Sequence, residues 1–164
     1  MSLEADIERM KLQEQRLQFA AFGATHAWEL GTRLRDAALA MKAGMSFEIQ
    51  VAGLVLFTAA TDGATVGMQD WIRRKRNTVM RFGRSSYAVG RELELTGTTL
   101  EARQGLTLAD YAVHGGGFPI RLRGTGLVGS VVASGLPQRD DHALVVEMLA
   151  SMLEVPLETI ALEP

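Results

Sequence analysis

The sequence predicts an α+β fold, a mostly antiparallel sheet with helices packed on it, and three observations carry that reading. Two pairs of short apolar runs are each separated by only two or three turn-forming residues, the spacing of β-hairpins. Around them lie longer segments whose apolar residues recur at helical spacing. The chain has 164 residues, 47% hydrophobic and 22% charged. That is enough for one core burying roughly 69% of the unfolded surface, without a metal or disulfide to hold it.

In chain order, residues 2–15 place Leu3, Ile7 and Met10 on one helical face behind a Ser2 cap. Arg16–Phe22 alternates Leu17, Phe19 and Ala21 and reads as a short strand. Thr25 is the expected cap of a helix to about Lys42, with Ala27, Leu30, Leu34, Ala38 and Met41 as its stripe and Gly44 as its stop. Ser46–Val51 and Leu54–Ala60 flank Ala52-Gly53 as the first hairpin. One helix is expected over residues 69–89, on Ile72, Val79 and Phe82 with Trp71 alongside. Residues 92–105 have no regular pattern beyond a helical turn at Thr99–Arg103, and Thr107–Tyr111 forms another turn. Phe118–Arg123 and Leu127–Ser134 flank Gly124-Thr-Gly126 as the second hairpin, with Pro119 marking an edge or a strand start. A helix from Pro137 to about Leu153 closes the chain, with Asp140 and Asp141 in its first turn. The order is α-β-α-β-β-α-β-β-α, five strands in one sheet. By analogy it fits the profilin-like three-layer α/β/α sandwich of many sensor and ligand-binding domains. Residues 1–164 read as one domain, with residues 1–15 an N-terminal helix.

Composition narrows the function. A net charge of −2 is that of neither a strongly basic nucleic-acid platform nor an acidic tail. The absence of cysteine excludes disulfides, Cys-ligated zinc, iron–sulfur clusters and thiol chemistry. The N-terminus mixes acids and bases without an apolar run, and the longest apolar stretch, near Val51–Ala60, is about half a bilayer span. A cytoplasmic protein without nucleic-acid or membrane partners is expected.

Three constellations could carry chemistry. Arg73–Arg76 is a run of four cations winding round a helix, so not all of them face water. Lys75 falls on the apolar stripe with Thr78, Val79 and Phe82, and Ser86 extends that stripe. A lysine there needs a bound anion, a snorkelling path or a carboxylate such as Glu48 or Glu94. On the anion reading, Lys75 and Arg74 are the donors. Next, Gly115, Gly116 and Gly117 follow His114 and precede a strand. They are therefore neither a P-loop nor a dinucleotide fingerprint, but a hinge or a ligand-facing loop. Finally, Ser134 to His142 turns a strand into the last helix, where free amides could bind an anion although Asp140 and Asp141 compete. Asp141 and His142 are adjacent and do not face each other on a helix. No metal site is expected. His114 and His142 are the only residues considered as a general base.

Three segments taken together resemble the UPF0303 family over nearly the whole chain. They are Asp70-Trp-Ile-Arg-Arg-Lys-Arg-Asn-Thr-Val79 with Phe82, Ser85 and Ser86; His114-Gly-Gly-Gly-Phe-Pro-Ile120; and Ser134-Gly-Leu-Pro-Gln-Arg-Asp-Asp-His142 with Leu144-Val-Val-Glu147. That family is similar to the haem-degrading-domain superfamily, with its glycolate-operon proteins, haem-binding sensor component and propanediol-utilisation adenosyltransferase domain. The resemblance implies a profilin-like fold, a homo-oligomer of two or more copies, and a ligand pocket near the sheet and the long helix. Haem as cofactor is implied by the superfamily alone.

The leading expectation is a small-molecule binding module without established catalysis. Its anionic ligand would meet Arg74, Lys75, Ser86, Gly115, Gly116, Gly117, Ser134, Asp141 and His142. The alternatives are an oligomeric assembly or adaptor protein with Trp71 and Arg73 at the contact, and a haem- or tetrapyrrole-binding or -degrading protein using His114 or His142.

Overall fold

Two hairpins make the sheet in a computed structural model that describes residues 2–164. β1 (Ser46–Val51) and β2 (Leu54–Ala60) form the first, and β3 (Gly117–Leu122) and β4 (Gly126–Ser134) the second. They join through β1 and β4 into one antiparallel sheet of order β2-β1-β4-β3. At the first turn Ala52 and Gly53 both have positive φ, +52° and +80°. This is the twist that a two-residue hairpin requires. Phe47 and Ile49 oppose Ala133 and Val131, so these four share one face. That face is covered by α2 (Ala24–Ala40) and α6 (Gln138–Met152), through Leu30, Leu34, Val145 and Leu149. α3 (Val66–Phe82) crosses the opposite face, where Gly117 leaves room for Val79.

The fifth expected strand does not form. α1 (Leu3–Arg16) runs one residue into the segment, leaving too few residues for a ladder. Phe19 makes a single parallel bridge to Leu122, with Phe19 N donating to Arg121 O and Arg123 N to Phe19 O. The alternation was nonetheless informative, because Leu17 and Phe19 are both buried.

The single helix expected over residues 69–89 is two. α3 begins earlier, at Val66, and ends where Gly83 takes the left-handed conformation at φ +64°. Ser85 then caps α4 (Ser86–Thr96) by accepting from Ala88 N at 3.2 Å. Ser86 therefore does not share a helix with Lys75. A glycine stop followed by a serine cap was a readable signal. α5 (Leu100–Gln104) is the turn expected after Thr99, which caps it. The start of α2 is closed by Gly23, whose N–H donates to His26 Nδ1 at 3.1 Å, rather than by Thr25.

The acids of α1 are anchors for the rest of the chain. Asp6 is buried and accepts from Arg139 Nη1 at 2.8 Å and Nη2 at 3.2 Å. Glu14 accepts from Ser85 N at 2.8 Å and from Arg84. Gln13 Oε1 lies 2.8 Å from His142 Nε2, and Gln13 Nε2 donates to Ile160 O at 2.9 Å. His142 sits between Tyr87 and Phe118 with Nδ1 unpartnered. Burial, then the Arg139 charge, pushes its pKa from 6.5 down to about 3.

A neutral native imidazole stabilises the fold above the unfolded pKa, and that contribution is lost as pH falls below 6.5 toward about 3. By pH 5 the loss amounts to about 2 kcal/mol. Urea unfolding at pH 7 and pH 5 should show a larger acid-side drop in wild type than in His142→Gln. Equal drops would place the acid sensitivity elsewhere.

Candidate functional site

The cation run on α3 is spent on local acids. Arg73 donates to Asp70 at 2.9 Å and to Asp110 at 3.0 Å. Arg74 donates to Asp70 at 2.9 Å and to Leu108 O at 3.1 Å. Arg76 pairs with Glu48 at 2.6 Å. Four consecutive residues wind round the helix, and each of the four cations meets an acid, so the run presents no basic face.

Lys75 points inward and is 3% exposed. Its Nζ donates to Asp141 Oδ2 at 3.0 Å and to Ala133 O at 3.0 Å. Neither Glu48 nor Glu94 is its partner; Glu94 pairs with Arg91. Asp141 is equally buried and takes two further N–H groups, Leu136 N at 2.9 Å and Gly135 N at 3.4 Å. Desolvation lowers the lysine pKa and raises that of the aspartate, and in each case it outweighs the pull of the partner.

The pair forms the floor of a cleft of about 320 Å³, lined by Thr65, Met68, Trp71, His114, Ser134 and Gln138 among others. Trp71 is its wall, with the Arg74 guanidinium 4.1 Å above the indole and the His114 ring edge-on at 4.9 Å. His114 stands at the mouth, and desolvation followed by the Lys75 and Arg74 charges lowers its pKa. Two helix starts border the cleft, α3 through Thr65 and Gly67 and α6 through Gln138; neither N-cap residue makes a side-chain cap hydrogen bond, and Asp140 and Asp141 stand in the first turn of α6. Helix N-termini present amide donors and partial positive charge.

The structure sorts the sequence candidates. Lys75, Ser134 and Asp141 line the cleft together, with Asp141 as the partner of Lys75. His142 does not join them: one residue along α6 its side chain turns to the opposite side, toward Gln13. Ser86 holds the glycine loop, donating to His114 O at 2.6 Å and accepting from Gly117 N at 3.0 Å. Gly115, Gly116 and Gly117 are required by packing. A Cβ would strike Gln138 O at the first and Ala133 O at the second, and would lie 2.8 Å from Val79 Cγ2 at the third. At Gly116, with φ +126°, it would also come within 2.8 Å of Lys75 Nζ. Trp71 and Arg73 lie in the cleft wall and in an acid cluster, not on an open apolar face. Thr65, Gly67 and Met68 are lining residues not singled out from the sequence, because the helix is expected to start at residue 69, and Gln138, the first residue of α6, carries no signal of its own. Among the described residues, no group of three or more His, Asp or Glu could hold a metal ion. No helix among them is long and apolar enough to cross a membrane.

Antiparallel hairpins with helices on both faces define an α+β domain, and the cleft with its ion-paired floor lies at one end of β4. The chain belongs to the HbpS-like haem-degrading protein family, whose model matches residues 22–150. It is 55% identical to a UPF0303 protein of Azotobacter vinelandii, over 99% of this chain and 98% of that one. Among solved structures, the Ybr137w protein superposes with TM-score 0.84 at 28% identity, covering 90% of this chain and 87% of that one. A PduOC:heme complex superposes with TM-score 0.65 at 17% identity, covering 81% and 94%.

Haem is named in the family description, so its fit can be tested on the cleft. The volume lies at the floor of the range for small-ligand sites, roughly 300–1,000 Å³. His114 is the single imidazole at the cleft, and the base is a buried ion pair. The cleft of one chain does not fit an enclosed macrocycle.

Removing one partner of a buried pair leaves an uncompensated charge, at about 3–5 kcal/mol. Lys75→Met should destabilise by that order in urea unfolding at pH 7. Lys75→Met with Asp141→Leu should recover most of the loss. A double variant no more stable than the single one would show that the pair is not the source.

Proposed function

We propose that the protein is a binding module for a small carboxylate with an apolar body. The observation that carries this is the geometry at Lys75. An ammonium has three donors; two are taken by Asp141 and Ala133, and the nitrogen lines the cleft. The third donor is available to a ligand oxygen. Because Asp141 offsets the lysine charge, the cleft floor is near neutral, and anion selectivity falls to the start of α3, whose first turn carries no acid, whereas Asp140 and Asp141 occupy that of α6. Met68, Trp71 and Leu136 give the ligand body an apolar wall. This reading keeps Arg74 as a support for the Trp71 ring, and His114 as the group at the mouth.

The chain has two tryptophans, Trp28 and Trp71. In a Trp28→Phe background, Trp71 fluorescence should change saturably on titration with acetate, lactate or benzoate, but not with chloride at equal ionic strength. The change should vanish in the Lys75→Met, Asp141→Leu double variant. A flat response to all three carboxylates would overturn the reading.

Self-association is favoured by a different observation. β2 is an edge strand of seven residues with neither charge nor proline, whereas β3 at the other edge carries Pro119 and is bridged by Phe19. Bare edges of that kind pair with other chains unless they are protected. Beside β2, Trp28 is 68% and Leu54 65% exposed. We place the contact between copies of this chain here rather than at Trp71 and Arg73. Sedimentation should show an oligomer that Leu54→Lys with Trp28→Ser dissociates; an unaltered profile would refute the placement. A haem-linked role has the printed name of the family and one neighbour's complex behind it, and the cleft does not add to them.

A further inference from the structure

We propose that Lys75 is a carbonyl-reacting amine, so that the cleft takes a small 2-oxo acid and Lys75 joins its carbonyl carbon as a protonated imine. The inference rests on the carboxylate reading above and narrows the ligand class. Its basis is the tetrahedral geometry of Nζ. Cε occupies one vertex and Ala133 O and Asp141 Oδ2 fix two more; Lys75 lines the cleft with Nζ 6.0 Å from the ring of Trp71, so the remaining vertex is the one left for a ligand. In the ammonium that vertex carries an N–H. In the free amine, one staggered step about Cε–Nζ turns the lone pair into it. Asp141 lines the same cleft, within reach of the oxygen that must be protonated. The Trp71 wall and the glycine loop, whose Gly116 packs directly on Nζ, keep bulk water from the amine. A ligand carboxylate against the start of α3 would leave its 2-oxo carbon over Lys75.

The chemistry closes without a further reagent. A proton passes from the ammonium to the Asp141 carboxylate, giving a neutral pair. Burial already biases both groups in that direction. The Nζ lone pair then adds to the carbonyl carbon, and the C=O π pair moves to oxygen, which takes the Asp141 proton. Asp141 recovers a proton from the new ammonium and delivers it to the hydroxyl. Water leaves as the nitrogen lone pair forms C=N. The product is an iminium facing the Asp141 carboxylate, so the buried ion pair is restored. Asp141 thus serves as the proton carrier.

The chain has only three lysines, Lys11, Lys42 and Lys75, and the first two are exposed. The intact protein should be incubated at neutral pH with pyruvate and sodium cyanoborohydride, which reduces an imine to a stable carboxyethyl-lysine. The adduct is then mapped by peptide mass spectrometry. Lactate binding, read from Trp71, is measured in parallel as the non-carbonyl control. The expected result is saturable labelling of Lys75 in clear excess, about tenfold or more, over the exposed Lys11 and Lys42. Lys75→Arg, which keeps a cation toward Asp141, should abolish the adduct. Should that variant misfold, the wild-type map still decides. Lactate binding without a Lys75 adduct overturns the imine and leaves the carboxylate cleft standing. Neither binding nor adduct overturns both, and equal labelling of the three lysines overturns the imine.

Discussion

The contact between Lys75 and Asp141 ties together parts of the chain that share no hydrogen-bonding ladder. α3 lies on one face of the sheet and α6 begins on the other. The lysine crosses between them to reach the Asp141 carboxylate, and takes the end of β4 through Ala133 O on the way. The same carboxylate collects Gly135 N and Leu136 N, which shapes the turn from β4 into α6. Gly116 must lack a side chain for the ammonium to sit where it does. Both members of the contact line the cleft, whose rim takes residues from the starts of α3 and α6.

A buried ion pair is a poor source of net stability, since desolvation offsets much of the attraction. Here both groups shift toward their neutral forms, so burial wins on each side. What the ionic pair supplies, and a hydrophobic one would not, is an ammonium and a carboxylate 3.0 Å apart among the residues that line the cleft.

Elsewhere, charge serves assembly of the fold. Asp6, Gln13 and Glu14 of α1 are buried against Arg139, His142, Ser85 and Arg84, so the first helix is joined to α4, α6 and the chain end by polar contacts as much as apolar ones. His142 is the acid-sensitive member of that set. Its position explains why an Asp-His doublet at a helix start is not a dyad: successive helical side chains diverge, and Asp141 and His142 serve opposite sides of α6.

The sequence by itself determined the local terms. Both hairpins, the helices on Ala27–Ala38 and on the last segment, the inward direction of Lys75 and the family follow from period, turn residues and motif, which act over a few residues. It left the Gly83–Ser85 break unread, although a glycine stop and a serine cap announce it. Four strands instead of five was a matter of partner geometry, since alternation in Leu17 and Phe19 reports burial and not a ladder. Only the tertiary structure decided that the Lys75 counterion is Asp141, 66 residues away, that the cation run is neutralised by acids from four segments, and that three glycines make room for neighbouring backbone and side chains of the fold. Pairings of that kind depend on where the sheet brings distant segments together, and no spacing along one chain encodes them.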